Sequence, residues 1–186
     1  KGSGKISFGV YLWNSFKLVV PTVILTVISS ILTAYGFVRF TFPGKKLFFT
    51  IMMLLMMLPA SVLLVPRYLI FVKLNWVDSY NVFWIPAALA TSSFFVYMFI
   101  QFFRGIPSEL DEAARIDGCS SFRILLLILL PLSKPAVISA IIFQFIWTWN
   151  DFFQQYIYIS SVYNYTVSLG LRMAIDTTTT IEWRNI

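Results

Sequence analysis

The sequence predicts an all-α membrane protein, a polytopic bundle of spanning helices, on three observations. Hydrophobic residues fill 59% of its 186 positions and charged residues only 12%. Soluble domains carry about 45–50% apolar and about 25% charged residues, so this chain departs in both directions. Four apolar stretches reach or exceed the roughly 20 residues that cross a bilayer as a helix. Between the third and fourth stretches lies PSELDEAARIDG, residues 107–118, which concentrates charge and helix-capping residues.

The first stretch, residues 18–38 (LVVPTVILTVISSILTAYGFV), has no charge. The second, 47–72, contains Pro59, Pro66 and Arg67. The third, 82–103, is uncharged and contains Pro86. The fourth, 135–160, contains Asn150 and Asp151. The prolines are expected as kinks, because neighbouring membrane helices can satisfy the carbonyls they free. Ser30/Ala34, Ala88/Ser92 and Ala136/Ala140 repeat small residues at a spacing that lets helices approach closely. The whole chain, 1–186, reads as one transmembrane domain.

Loop charge sets the expected orientation. RFTFPGKK, residues 39–46, has three positives and no acid, which favours the cytoplasm. The segment from Arg104 to Lys134, with Arg115 and Arg123, returns to that side. The loop around KLNWVDSYN is balanced and carries Trp76 and Tyr80, aromatics suited to an outer interface. Lys1, Lys5 and Lys17 run against this charge rule, so alternation of the spans carries the assignment. Residues 161–186 are polar and Thr-rich and read as an outer loop.

Several function classes drop out. The net charge of +6 is scattered rather than gathered into a basic patch, so no nucleic-acid partner is expected. The absence of His removes His-activated nucleophiles and most zinc or iron sites, and no metal centre is expected. The single Cys119 excludes an intramolecular disulfide. Gly2-Ser3-Gly4-Lys5 resembles the end of a phosphate loop, but Ile6 stands where Ser or Thr is needed and the first Gly is missing. KGSGKIS has no following apolar region and cleavage site of a signal peptide.

The charged segment predicts a short helix over 109–117. Ser108 and Asp111 have capping-box spacing. Glu109, Asp111 and Glu112 suit the positive end of the helix dipole. Asp111 and Arg115 form a favourable i,i+4 pair. Gly118 is positioned as a left-handed helix stop. Leu110, Ala113 and Ala114 share a face small enough for close packing. A second helix, Phe122 to Leu130, follows Ser120-Ser121 and ends at Pro131.

Glu112-Ala113-Ala114, then Gly118, Ile128 and Leu130-Pro131, resembles the EAA loop of ABC-importer permeases at that family's spacing. AYGFVRFTFPGKK (34–46), LPASVLLVPRYLIF (58–71), IPSELDEAARIDG (106–118) and WTWNDFF (147–153) are similar to the sugar-uptake permeases, nearest to the second, MalG-like member of their pair. The resemblance implies the type I importer fold, with the loop 106–131 carrying a cytoplasmic coupling helix. It assigns ATPase coupling to Glu112, Ala113, Ala114, Arg115, Asp117, Gly118 and Pro131. It implies a second homologous permease, two cytoplasmic ATPase subunits and an external solute-binding protein as partners in the lipid bilayer. ATP and Mg would sit on the ATPase, with no cofactor or catalytic residue in this chain. The family has a span before Asn14-Ser15 and another after about Asn185, so the sequence is expected to be the core of a longer chain.

Asn150, Asp151 and Trp149 are candidates for the solute pathway, since ionisable groups at membrane depth are rare and functional. The competing reading ends the span earlier and puts Asp151 at the outer interface. Arg67 is expected to snorkel outward, the alternatives being a cavity or a pairing with Asp151. Trp147, Phe152, Phe153 and Tyr156 offer rings on which a sugar could stack, though such aromatics more often pack or face lipid. The rival functions are a permease for a non-sugar solute and a secondary transporter.

Overall fold

A computed structural model describes residues 7–172. Helix α1 runs from Phe8 to Arg39, well beyond the expected 18–38. The Ser7 side chain accepts from the Gly9 amide at its start. Lys17, expected to lie outside the span, sits on the exposed face with its ammonium over the Trp13 ring, 5.7 Å from the centroid.

The buried face of α1 mixes aliphatic residues (Leu18, Val19, Val23, Val27, Ile31) with small and hydroxylated ones. Ser15, Thr22, Thr26, Ser29, Ser30 and Ala34 are buried, while Val20, Ile24, Ile28 and Leu32 are exposed. Small and hydroxylated residues let other helices approach, and the aliphatic stripe suits lipid. The Ser29 hydroxyl donates 2.6 Å to the Ala87 carbonyl across the interface. The Trp84 indole donates 3.3 Å to the Leu18 carbonyl.

The remaining elements are α2 (Lys45–Met57), α3 (Ala60–Lys73), α4 (Asn81–Ala88), α5 (Ser93–Arg104), α6 (Glu109–Ile116), α7 (Ser121–Ile124), a π-helical turn (Leu125–Leu129), α8 (Leu130–Leu132), α9 (Lys134–Asn150) and α10 (Phe152–Tyr158). A 3-10 turn follows at Val162–Asn164. Residues 167–172 are helical. The other residues of the expected outer loop, 173–186, lie outside the described residues. Helix α1 packs against α5, α4 and α9. Phe95, Phe99, Ile100 and Phe103 of α5 are fully buried at the centre of this core.

Three of the four apolar stretches are interrupted, where the sequence suggested kinks at most. Helices α2 and α3 meet at 108°. Leu58 is extended (φ −76°, ψ 131°), as the residue before a proline tends to be, and Pro59 supplies no amide to continue α2. Helices α4 and α5 are separated by a turn in which Ala90 has φ 54° and the Thr91 hydroxyl donates to the Pro86 carbonyl. That turn splits the Ala88/Ser92 pair, whereas Ser30, Ala34, Ala136 and Ala140 are all fully buried. The fourth stretch breaks at Asp151, between α9 and α10. Among the described residues, Phe8–Arg39 and the run Asn81–Arg104 are long and apolar enough to cross a membrane. Counting α2 with α3, and Ser121–Leu132 with α9, as one bent span each raises the number to four.

Two groups of loop contacts sit at the ends of α1, about 48 Å apart at 1.5 Å per residue. At its N-terminal end the Asn14 side chain donates to the carbonyls of Tyr163 and Tyr165. There the Asp78 carboxylate accepts from the amides of Ser160 and Ser161 at 2.9 and 2.8 Å. At the C-terminal end, Arg39 and Tyr35 meet the charged segment.

Candidate functional site

Helix α6 forms where the sequence predicted it, with Glu109, Asp111 and Glu112 in its first turn. Its end is the predicted left-handed stop. Gly118 has φ 79°. The Gly118 amide donates to the Arg115 carbonyl at 3.0 Å, and the Cys119 amide to the Ala114 carbonyl at 2.9 Å. This paired closure is a Schellman motif.

Its start differs from expectation. The capping box does not form: Ser108 is in the right-handed helical region and its hydroxyl caps nothing. Asp111 is buried and turned toward α1, where its Oδ2 lies 2.5 Å from Arg39 Nε. The contact is a charge pairing rather than an aligned hydrogen bond, because the Arg39 Nε–H does not point at the carboxylate. The expected pairing with Arg115 is thereby replaced. The Arg39 guanidinium also donates 2.9 Å to the Ile106 carbonyl. Tyr35, one turn earlier on α1, donates 2.8 Å to the Ser121 carbonyl.

Anchoring Asp111 fixes which face of α6 looks out. Ala114, one turn on, is buried against the core, while Glu112, Ala113, Arg115, Asp117 and Gly118 are exposed. The two alanines of the motif are therefore divided, Ala114 packing inward and Ala113 facing solvent. Ile116 is 88% exposed and Leu110 42%. An isoleucine so bare on a charged helix is an unsatisfied apolar surface, and the sequence reading did not single it out.

Beyond α6 the chain re-enters the bundle through α7, the π turn and α8. The Leu130 amide bonds the Leu125 carbonyl, an i→i−5 contact, immediately before Pro131. Widening the helix there relieves the clash of the proline ring with the carbonyl four residues earlier. Pro131 thus lies inside the last turn rather than ending it, and the helix runs to Leu132. Buried Ser133 then separates it from α9 at an 80° bend.

The pathway candidates sit elsewhere. Trp149 stacks on Phe145 and meets Phe16 edge-on, each at 5.3 Å, so it packs against α1. The Asn150 side chain donates to the Ile146 carbonyl of its own helix. Asp151 caps α10, accepting from the Gln154 amide at 3.1 Å. None of the three lines the cavity of about 1020 Å³ bounded by α1, α2, α3, α4 and α5. Arg67 does line it, with its guanidinium 5.6 Å from the Phe71 ring centroid. That is the cavity-facing alternative among the placements open to it in the sequence. Thr91, Ser92 and Ser93 add hydroxyls to the same wall. Among the described residues, no three of His, Cys, Asp and Glu come together as a metal site.

A broken-helix membrane bundle that presents a tethered, charged helix at one end is the build of a transport permease of the type I importer kind. The chain belongs to the family described as the binding-protein-dependent transport system inner membrane component, which matches residues 26–181. It is 35% identical over its full 186 residues to the sn-glycerol-3-phosphate transport system permease protein UgpE of Yersinia pestis bv. Antiqua (strain Antiqua), and spans 66% of that protein. It is 34% identical over 171 residues, 92% of its length, to UgpE of Brucella abortus (strain 2308), spanning 60% of that relative. Its fold is similar to a chain in the crystal structure of a bacterial ABC transporter involved in the import of the acidic polysaccharide alginate. That match has a TM-score of 0.81 and 23% identity, and covers 89% of this chain and 58% of the other.

Proposed function

We propose that this chain is a non-catalytic permease subunit of an ATP-driven importer for a sugar-type solute, with α6 docking into a cytoplasmic ATPase. The observation that carries this reading is the outward face of α6. Glu112, Ala113 and the bare Ile116 offer charge, close approach and an apolar knob together, on a helix held by Arg39. Such a surface suits a groove on a soluble partner. Arg39, Lys45, Lys46, Arg104 and Arg123 lie in sequence near the α6 end of α1, which favours the cytoplasm for that end.

In this mechanism ATP closes two ATPase subunits, and the docked α6 helices of two permeases move with them. The bundle then shifts between inward-open and outward-open packings. The work of this chain is a bistable packing that the ATPase biases. An external binding protein delivers the solute. ATP and Mg act on the ATPase, and Ala113 rather than Ala114 supplies the close approach. The test is to express the full-length protein with its neighbouring genes, solubilise gently, and identify what co-purifies. An ATPase whose turnover rises with a loaded binding protein and one member of a sugar panel is the expected result. A permease that purifies alone in every mild detergent favours a secondary transporter.

A second reading concerns the solute. Arg67 is the one charged side chain lining the cavity among the described residues. A cation at membrane depth favours an acidic solute, and the Yersinia and Brucella relatives are named for sn-glycerol-3-phosphate. Arg67→Gln should then reduce uptake of sn-glycerol 3-phosphate or an acidic oligosaccharide and spare maltose. Equal effects on both would remove this reading and leave the importer intact.

A further inference from the structure

We infer that the Arg39–Asp111 pair is a mechanical clamp through which α6 drives α1 directly, so that both are positioning residues for coupling. The inference rests on α6 being the ATPase-docking helix. Three contacts from the last turns of α1 bracket the segment. Arg39 holds the Ile106 carbonyl before α6 and the Asp111 carboxylate within it, and Tyr35 holds the Ser121 carbonyl after it. Any displacement of α6 relative to α1 must break at least one of them.

The chemistry of the pair makes it a clamp rather than an incidental contact. The two side chains are only 10% and 7% exposed, and theirs is the sole ion pair among the described residues. Separating a buried pair leaves an uncompensated charge on each side, which opposes separation far more strongly than parting two apolar groups. Asp111 Oδ1 has no hydrogen-bond partner among the described residues, so Arg39 is the group that compensates this carboxylate.

The alternative route for motion is softer. Running forward from α6, it crosses the left-handed turn at Gly118, the π turn and the 80° bend at Ser133 before reaching α9. Helix α1 is one unbroken element of 32 residues that packs on α4, α5 and α9. A push delivered at its end reaches three neighbours at once, and rigid packed elements transmit displacement.

The experiment uses the complete importer, reconstituted with its ATPase and binding protein. Uptake of sn-glycerol 3-phosphate, maltose and an alginate oligosaccharide is measured per ATP hydrolysed. In complexes that retain the ATPase, Asp111→Asn and Arg39→Gln should each lower the uptake ratio about fivefold or more. The exchange Arg39→Asp with Asp111→Arg should recover part of the loss. An unchanged ratio in both single variants would overturn the clamp.

Because either variant can fail to assemble, spin-label distances on the otherwise intact importer give a second decision. With Cys119→Ala, labels at Phe40→Cys and Glu109→Cys should keep one narrow distance with and without ATP. A distance that changes between those states would overturn the clamp even if the variants were lost. An importer with native Arg39 and Asp111 that neither binds an ATPase nor takes up any of the three solutes would instead defeat the permease reading on which the clamp rests.

Discussion

Ile116→Ala separates docking from folding. Ile116 is 88% exposed at the end of α6, so its side chain contributes almost nothing to the packing of this chain. Alanine is also the better helix former, by a few tenths of a kcal/mol. The isolated permease should therefore keep its thermal stability. On docking the picture reverses. The substitution removes three carbons, each worth about 0.8 kcal/mol when buried. With nearly the whole side chain available for burial, the loss of docking free energy is about 2 kcal/mol, or about 30-fold in affinity. The assay is titration of the purified ATPase onto the permease pair in lipid discs, beside a melting curve of the permease alone. Unchanged affinity with an unchanged melt would refute the placement of Ile116 in the docking face. A lowered melt would refute its independence from the fold.

Other perturbations test neighbouring steps. Gly118→Asp adds no clash, since no atom lies within 4 Å of the new Cβ, but it puts a side chain at φ 79°. It should cost about 1 kcal/mol locally, leave membrane insertion intact and abolish uptake, and normal uptake would contradict the docking geometry. Glu112→Lys reverses an exposed charge on the same face and should lower recovery of the ATPase in detergent. Tyr80 donates to the Asn164 carbonyl, and burial, with Asp78 nearby, pushes its phenol up to about 12 from the usual 10. A raised folded-state value means that this loop anchor is fully present below about pH 10 and lost as pH passes about 12. Ultraviolet titration should show one fewer late-ionising tyrosine in Tyr80→Phe than in the parent chain. An unchanged number would contradict the shift assigned to Tyr80.

Local rules reached only part of this structure. The ends of α6 followed from charge near the helix start and from Gly118, because both depend on residues within one turn. The resemblance carried by the EAA spacing reached the family that the comparisons bear out. Asp111 was misread because its candidate partners compete. Capping and the i,i+4 pair are visible in the sequence, whereas Arg39 on another helix is not, and its buried charge dominates. The exposure of Ile116 follows from that anchor, which fixes how α6 is rolled. The breaks at Pro59, Ala90 and Asp151 were underestimated for a related reason. A membrane tolerates a kinked helix and a broken one alike, so apolar composition does not distinguish them. The small and hydroxylated residues on the buried face of α1 were foreshadowed only by Ser30/Ala34.

The central claim, that the outer face of α6 meets the ATPase, is tested most directly by site-specific photocrosslinking. A photoreactive residue is introduced at Ala113 or at Ala114 in the assembled importer. Ala113 is exposed, while Ala114 is 6% exposed and faces the core. The account predicts an ATPase adduct from position 113 and, from position 114, only crosslinks within the permease. ATPase adducts from position 114 with none from 113 would contradict the orientation of α6, and adducts from neither would contradict its docking role.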